Sequence, residues 1–148
     1  MSLRLCVVDA RNHKDATALG RFVAAKAPHV VCVQHAPRWL RWRSKCGRLA
    51  RLSGLVVVAG GRTADGNLIL SSLGVDIVQT WESKLGAIAR MRLSGVELAV
   101  AATSLDADEL ATSSALQVAL TPVGPVPAVR TGRSKAILAD AGLDVTVL

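Results

Sequence analysis

The feature that most constrains this chain is the apolar run Val30-Val-Cys-Val33, bracketed by Pro28 and Pro37 and ending abruptly in the polar pair Gln34-His35. Four β-branched or small apolar residues are too few for a helix. A run that is apolar at every position, not at alternate ones, is the pattern of a strand covered on both faces. Such a strand needs a layer above it and a layer below it, and its polar end builds a site.

What precedes the run sets the topology. Leu3-Arg-Leu-Cys-Val-Val-Asp9 reads as a strand terminating at Asp9. A helix over Lys14–Ala27 follows, with Asn12 or Asp15 as its cap, Leu19, Phe22 and Val23 on one stripe, and Pro28 as its stop. Strand, helix, strand in this order is a β-α-β unit, whose strands run parallel with a right-handed crossover. Parallel strands bring Asp9 and His35 to one sheet edge, where α/β proteins build sites.

Pro37 opens a second helix from Arg38 to about Leu52. Trp39, Trp42, Cys46, Leu49 and Leu52 make its apolar stripe, so both tryptophans are expected in the core. Six of the fourteen residues from Arg38 to Arg51 are basic. The face formed by Arg38, Arg41, Lys45, Arg48 and Arg51 could meet a nucleic-acid backbone or another anion, but the periodicity, which puts both tryptophans on the apolar stripe, favours a solvated helix surface.

Leu55–Ala59 reads as another buried strand, and Gly60-Gly-Arg-Thr-Ala-Asp-Gly66 as a turn. The turn is not a phosphate-binding loop. It lacks the Gly-Lys-Ser/Thr ending and leads into the strand Asn67–Leu70 where such a loop leads into a helix. Beyond Gly74 the pattern is antiparallel: Val75–Trp81, then Gly86–Leu93 and Val96–Thr103 joined by a Ser94-Gly95 hairpin turn. Asp106 or Asp108 caps a helix from Glu109 to about Leu120, Thr121–Pro127 breaks it with three prolines, Lys135–Ala141 reads as a short helix closed by Gly142, and Leu143–Leu148 as a last strand. No repeat or low-complexity linker divides the chain, so residues 1–148 are expected to form a single domain.

Composition matters for what it excludes. Apolar residues make up 51% of the chain, but no run approaches the ~18 residues of a membrane span, and the first residues lack a signal-peptide pattern. Cys6, Cys32 and Cys46 form no Cys-x-x-Cys pair and two lie in expected strands, the usage of a reducing compartment, so a cytoplasmic location is expected. The net charge of +7 is unevenly held: Met1–Gly74 carries twelve Lys and Arg against three Asp, and Val75–Leu148 six against eight acids. A basic first half points toward phosphates or carboxylates as partners.

Several words in this layout resemble the endonuclease/exonuclease/phosphatase, or DNase I-like, superfamily. Leu3–Arg11 stands where that family has an opening strand ending in Trp-Asn. Ala27-Pro-His-Val-Val-Cys-Val-Gln-His-Ala36 stands for its Pro-Asp-Val-(apolar)-Gln-Glu, Gly66-Asn-Leu-Ile-Leu70 for its Gly-Asn strand, and Thr103-Ser-Leu-Asp106 for its Thr-His-Leu stretch. The resemblance implies an α/β two-sheet sandwich with flanking helices, incomplete at its C-terminus, and magnesium-dependent phosphoester hydrolysis. Hard magnesium takes oxygen ligands, chiefly the glutamate after the glutamine.

The implied site residues here are Asp9, His35, Asn67, Ser104 and Asp106, and almost all depart from the family pattern. Asp9 replaces asparagine, His35 the metal-holding glutamate, and Ser104 a histidine. Arg130-Thr-Gly-Arg133 stands for the family's Gly-Asp-x-Asn turn with neither acid nor amide, and the chain ends before the family's Asp-His pair. The resulting expectation is a catalytically degenerate relative kept as a binding or interaction module without a cofactor. Two alternatives stand beside it: a residual Mg2+-dependent phosphoesterase or nuclease using Asp9, His35 and Asp106, with Asp9 and His35 as metal ligands, and a salt-dependent nucleic-acid or anion binder through residues 38–51. An open sheet edge near Leu143–Leu148 would admit a second copy, giving a homodimer, or another protein; no membrane contact is expected.

Overall fold

In the computed structural model, which describes residues 2–13, 15–37 and 39–148, β1 (Leu3–Asp9) and β2 (Val30–Gln34) lie parallel, with Asp9 opposite Gln34. Between them runs α1 (Ala16–Lys26), capped by the Asp15 carboxylate accepting from the Ala18 backbone N–H. The β-α-β unit is therefore as the sequence implies. β4 (Asn67–Ser71) runs antiparallel to β2, and β3 (Val56–Gly61) antiparallel to β4, completing a sheet in the order β10-β1-β2-β4-β3. β10 (Val145–Val147) pairs parallel with β1 and is an edge strand of this sheet, as expected of the last residues.

A second sheet, in the order β5-β6-β7-β8-β9, contains β5 (Asp76–Ser83), β6 (Gly86–Leu93), β7 (Val96–Thr103), β8 (Ala128–Thr131) and β9 (Ile137–Ala139). β6 and β7 meet at the Ser94-Gly95 turn, both of whose residues have positive φ, the backbone of a tight hairpin. The two sheets pack face to face. Leu5, Val7, Val30, Cys32 and Ile69 from one meet Ala87, Ala89, Met91, Val100 and Val129 from the other.

The alternate residues of the first sheet, Cys6, Val8, Val31, Val33, Leu68 and Leu70, pack outward against Leu19 and Val23 of α1 and Cys46, Leu49 and Ala50 of α2 (Trp42–Ser53). The second sheet's outer face is covered by α3 (Ala107–Thr112) and α4 (Ser114–Leu120) through Leu110 and Leu116. Covering on both faces explains why β1 and β2 are apolar at successive positions.

Four expectations need correction. α2 starts at Trp42, not at residue 38, and Trp39 is 76% exposed. The ring of Trp42 packs against Gly61, where a Cβ would lie 2.5 Å from the ring, so Trp42 alone anchors the first turn. β3 is an edge strand with Val56 and Val57 exposed, not a buried one. The helix after Asp106 breaks at Ser113, whose hydroxyl accepts from Leu116 N–H and starts α4. Residues 137–139 are a strand, because Ser134 and Lys135 adopt positive φ and the segment then pairs with β8, a strand that the prolines before it hid. Arg38 lies outside the described residues. Among the described residues no helix is long and apolar enough to cross a membrane.

Candidate functional site

The ends of five strands converge on one rim of the sandwich. β1 ends at Asp9 and β2 at Gln34, β4 begins at Asn67, β7 ends at Thr103, and β8 ends at Thr131. Gln34 Nε2 donates to the Thr103 carbonyl at 3.4 Å and so ties the two sheets together. Thr103 Oγ1 donates to Thr131 O at 2.9 Å, and Thr131 Oγ1 to Ala101 O at 3.0 Å. All three side chains are buried, where an unpaired polar group is costly, so this net fixes the rim.

The Asp9 carboxylate is closed in by its neighbours. Oδ1 accepts from the Arg11 backbone N–H at 2.9 Å and lies 3.1 Å from His35 Nδ1, while Oδ2 accepts from the Arg11 guanidinium at 3.0 Å. Partial burial works against the charged form of Asp9, but the hydrogen bonds from Arg11 and His35 outweigh it and hold the carboxyl below its usual range. His35 follows β2 in a left-handed conformation, φ 52°, which turns the chain at the rim. With Asn12, Gln34, Arg133, Ser134 and Lys135 these residues line a cleft of about 490 Å³. Three cations, Arg11, Arg133 and Lys135, line it with one carboxylate, Asp9, and of the three it is Arg11 that bonds that carboxylate.

A second compartment shares Gln34, His35 and Arg133 and adds Asp65, Asn67 and Ser104. Asn67 Nδ2 donates to Ala64 O and to Ser104 Oγ, both at 2.9 Å, and Ser104 Oγ donates to Asp65 Oδ2 at 3.0 Å. Arg133 enters the cleft because Gly132 lets the chain run against the 105 backbone: a Cβ on Gly132 would lie 2.2 Å from Leu105 O, which accepts from Arg133 N–H at 2.7 Å.

The rim thus brings together Asp9, His35, Asn67 and Ser104, four of the five residues expected of the site. Asp106 stands apart. It caps α3 through the Glu109 N–H, and the exposed Arg133 side chain lies between it and the cleft, 3.9 Å from Asp106 and 3.6 Å from Glu109. Of the basic face, Lys45 and Arg48 line a groove between α1 and α2 that opens at His35, while Arg41 and Arg51 are exposed at the start and last turn of α2. Sequence reasoning missed Arg11, Arg133 and Lys135. Arg133 lies in Arg130-Thr-Gly-Arg133, the segment that stands for the family's Gly-Asp-x-Asn turn without its acid or amide.

The donor set does not fit magnesium. That ion is held by one or two carboxylates with waters, whereas both Asp9 oxygens are engaged by Arg11, Asp65 in the adjoining compartment accepts from Ser104, the position between them is an imidazole, and three cations line the cleft. Among the described residues no three His, Cys, Asp or Glu side chains gather as a metal-holding group.

Solved structures share this architecture. An endonuclease/exonuclease/phosphatase family protein from Bacteroides thetaiotaomicron superposes with a TM-score of 0.63 at 14% identity, covering 89% of this chain and 63% of that one. The fold is DNase I-like. A family protein from Leptotrichia buccalis matches this DNase I-like chain with a TM-score of 0.57 at 10% identity, over 85% of this chain and 64% of the other. D. rerio TDP2 complexed with single strand DNA product matches at 0.55 and 18% identity, over 91% and 60%. The chain therefore spans less than two thirds of the length of each. No protein-family model matches it, and no curated protein matches it in sequence. Within the DNase I-like frame, the rim positions that the resemblance sets against an asparagine, a metal-holding glutamate and a histidine hold an arginine-clasped aspartate, a histidine and a serine.

Proposed function

We propose that the chain is a non-catalytic binding module on a DNase I-like frame, and that its rim cleft takes up the phosphate group of an anionic ligand directly on cations. The observation that carries this reading is the bonding of Asp9. Both of its oxygens are engaged by Arg11, one of them also by His35, and Arg133 and Lys135 line the same cleft. A phosphate oxygen meets charged donors there, and such hydrogen bonds are about twice as strong as neutral ones. Proteins of this fold include one whose structure holds a single-strand DNA product. A cytoplasmic location belongs to the same proposal: Cys6, Cys32 and Cys46 are free buried thiols, and burial pushes Cys32 up to about 12 and Cys46 up to about 11, which suits core residues of a reducing compartment.

Two measurements test it. Purified protein with Mg2+ should hydrolyse bis-p-nitrophenyl phosphate and nick plasmid DNA no faster than His35→Ala. Calorimetric titration with inorganic pyrophosphate should show binding that an Arg133→Ala/Lys135→Ala double variant weakens by about tenfold or more. Magnesium-stimulated hydrolysis that disappears in His35→Ala would overturn the reading.

A further inference from the structure

Trp39 and Leu40 are consecutive, large and apolar, yet 76% and 81% exposed. Side chains of this size held out together at a loop tip mark a contact surface. The tip is not simply the frayed start of α2, since Trp42, three residues on, is packed on Gly61 and carries the Arg43 guanidinium 4.5 Å from its ring. From Ala16 to Ala64 the sequence contains no aspartate or glutamate and nine lysines and arginines, with Asp15 and Asp65 immediately flanking the stretch.

The groove between α1 and α2 adds shape. It encloses about 380 Å³, has Leu19, Leu49 and Pro37 in its lining, and carries two cations, Lys45 and Arg48, against one acid, Asp15, whose carboxylate is engaged in capping α1. Neither cation forms an ion pair among the described residues. His35 lines both this groove and the rim cleft, so one side chain borders the two.

We infer that the Trp39–Leu40 tip and the Lys45/Arg48 groove form a docking surface for single-stranded nucleic acid. Trp39 stacks on an unpaired base while Lys45 and Arg48 take backbone phosphates on a path that leads past His35 into the cleft. The inference rests on the reading of the cleft as a direct phosphate binder. An exposed aromatic beside a track of cations is what a single strand requires, because its bases are free to stack and its phosphates are flexibly spaced. A duplex hides its base faces. A bilayer is a poor fit for another reason: Lys45, Arg48, Arg11, Arg133 and Lys135 line concavities, which a strand enters and a flat surface does not.

The test is fluorescence anisotropy of a labelled oligothymidylate of about 12 nucleotides across a salt series. Wild type should bind with a steep salt dependence. Trp39→Ala, at an exposed position that leaves the circular dichroism spectrum unchanged, should bind about 5- to 100-fold more weakly, and Trp39→Phe within about threefold of wild type. Lys45→Gln/Arg48→Gln should flatten the log–log salt slope by about 1.4, two phosphate contacts at about 0.7 each. Equal affinity of wild type and Trp39→Ala would overturn the inference. So would pyrophosphate binding without oligonucleotide binding, which leaves the cleft reading standing, and so would blue-shifted Trp39 emission on phosphatidylserine vesicles without oligonucleotide binding. Absence of both pyrophosphate and oligonucleotide binding would overturn the cleft reading as well.

Discussion

His35 Nδ1 lies 3.1 Å from Asp9 Oδ1 across the ends of two parallel strands, and the same oxygen accepts from the Arg11 backbone N–H at 2.9 Å. The carboxylate is thereby engaged by neighbouring donors, and Asp9→Asn should separate two roles. If Asp9 only orients Arg11, removing its charge raises the affinity for pyrophosphate by about two- to fivefold at low salt. A metal ligand would behave in the opposite way, with Mg2+-dependent binding or turnover collapsing. Acid titration adds a second readout. Because the folded Asp9 pKa is depressed, its contribution to stability is present above the usual carboxylate range and is lost as pH falls through the folded value. Urea unfolding of Asp9→Asn should therefore depend less on pH in the acid range than wild type.

A separate pH effect is expected nearer neutrality. His29 Nδ1 accepts the Arg4 backbone N–H at 2.9 Å, while the His29 backbone N–H donates to Arg4 O at 2.9 Å, joining the approach to β2 onto β1. Burial, with the Arg4 charge beside it, lowers the His29 pKa from 6.5. Protonation puts a second donor against the Arg4 N–H. The unfolded chain therefore binds the proton more readily, so this part of the stability is present above pH 6.5 and lost as pH falls through the folded value. The urea midpoint should drop between pH 7.5 and 5.5 in wild type and stay flatter in His29→Asn, which keeps an acceptor that does not titrate. Parallel slopes for the two proteins would exclude this role.

What the sequence disclosed follows from where each residue finds its partners. β1 and β2 were legible because both faces of each are covered by residues of the same chain, which forces unbroken apolar runs at Leu5–Val8 and Val30–Val33. Asp9 and His35 fell to the same rim because parallel strands leave no other arrangement. Trp39 was misread because helical periodicity groups it with Trp42, whereas contact with Gly61, remote in sequence, decides where α2 begins. β9 was misread because its residues suit a short helix in isolation, and only pairing with β8 makes them a strand. The cations of the cleft were hidden for a similar reason: Arg133 reaches the rim through a close approach of Gly132 to the 105 carbonyl, a contact that no local pattern encodes.

That close approach makes Gly132→Ala informative. The added methyl would sit 2.2 Å from Leu105 O and 3.3 Å from Leu110 Cδ2, and backbone cannot yield as a flexible side chain does. The cost should be about 1–3 kcal/mol of stability, the range for overpacking. Arg133 moves with its neighbour, so pyrophosphate affinity should fall in the protein that remains folded. A urea midpoint unchanged from wild type would refute the close packing, and normal pyrophosphate affinity in a destabilised variant would refute the coupling of Gly132 to Arg133.

Asn67 tests whether a rim residue serves the frame or the ligand. It is 1% exposed, and its Nδ2 donates to Ala64 O and Ser104 Oγ, so it holds the loop between β3 and β4 to the end of β7. Asn67→Ala strands the Ala64 carbonyl in the interior and should cost about 1–3 kcal/mol. Ser104→Ala leaves Asn67 its bond to Ala64 O and should cost only about 0.5–1.5 kcal/mol, the net worth of an ordinary hydrogen bond. Both variants should keep pyrophosphate affinity within about threefold of wild type, since the charged donors of the cleft are untouched. The reverse result, with stability retained and affinity lost in Asn67→Ala, would move Asn67 from the frame to the binding surface.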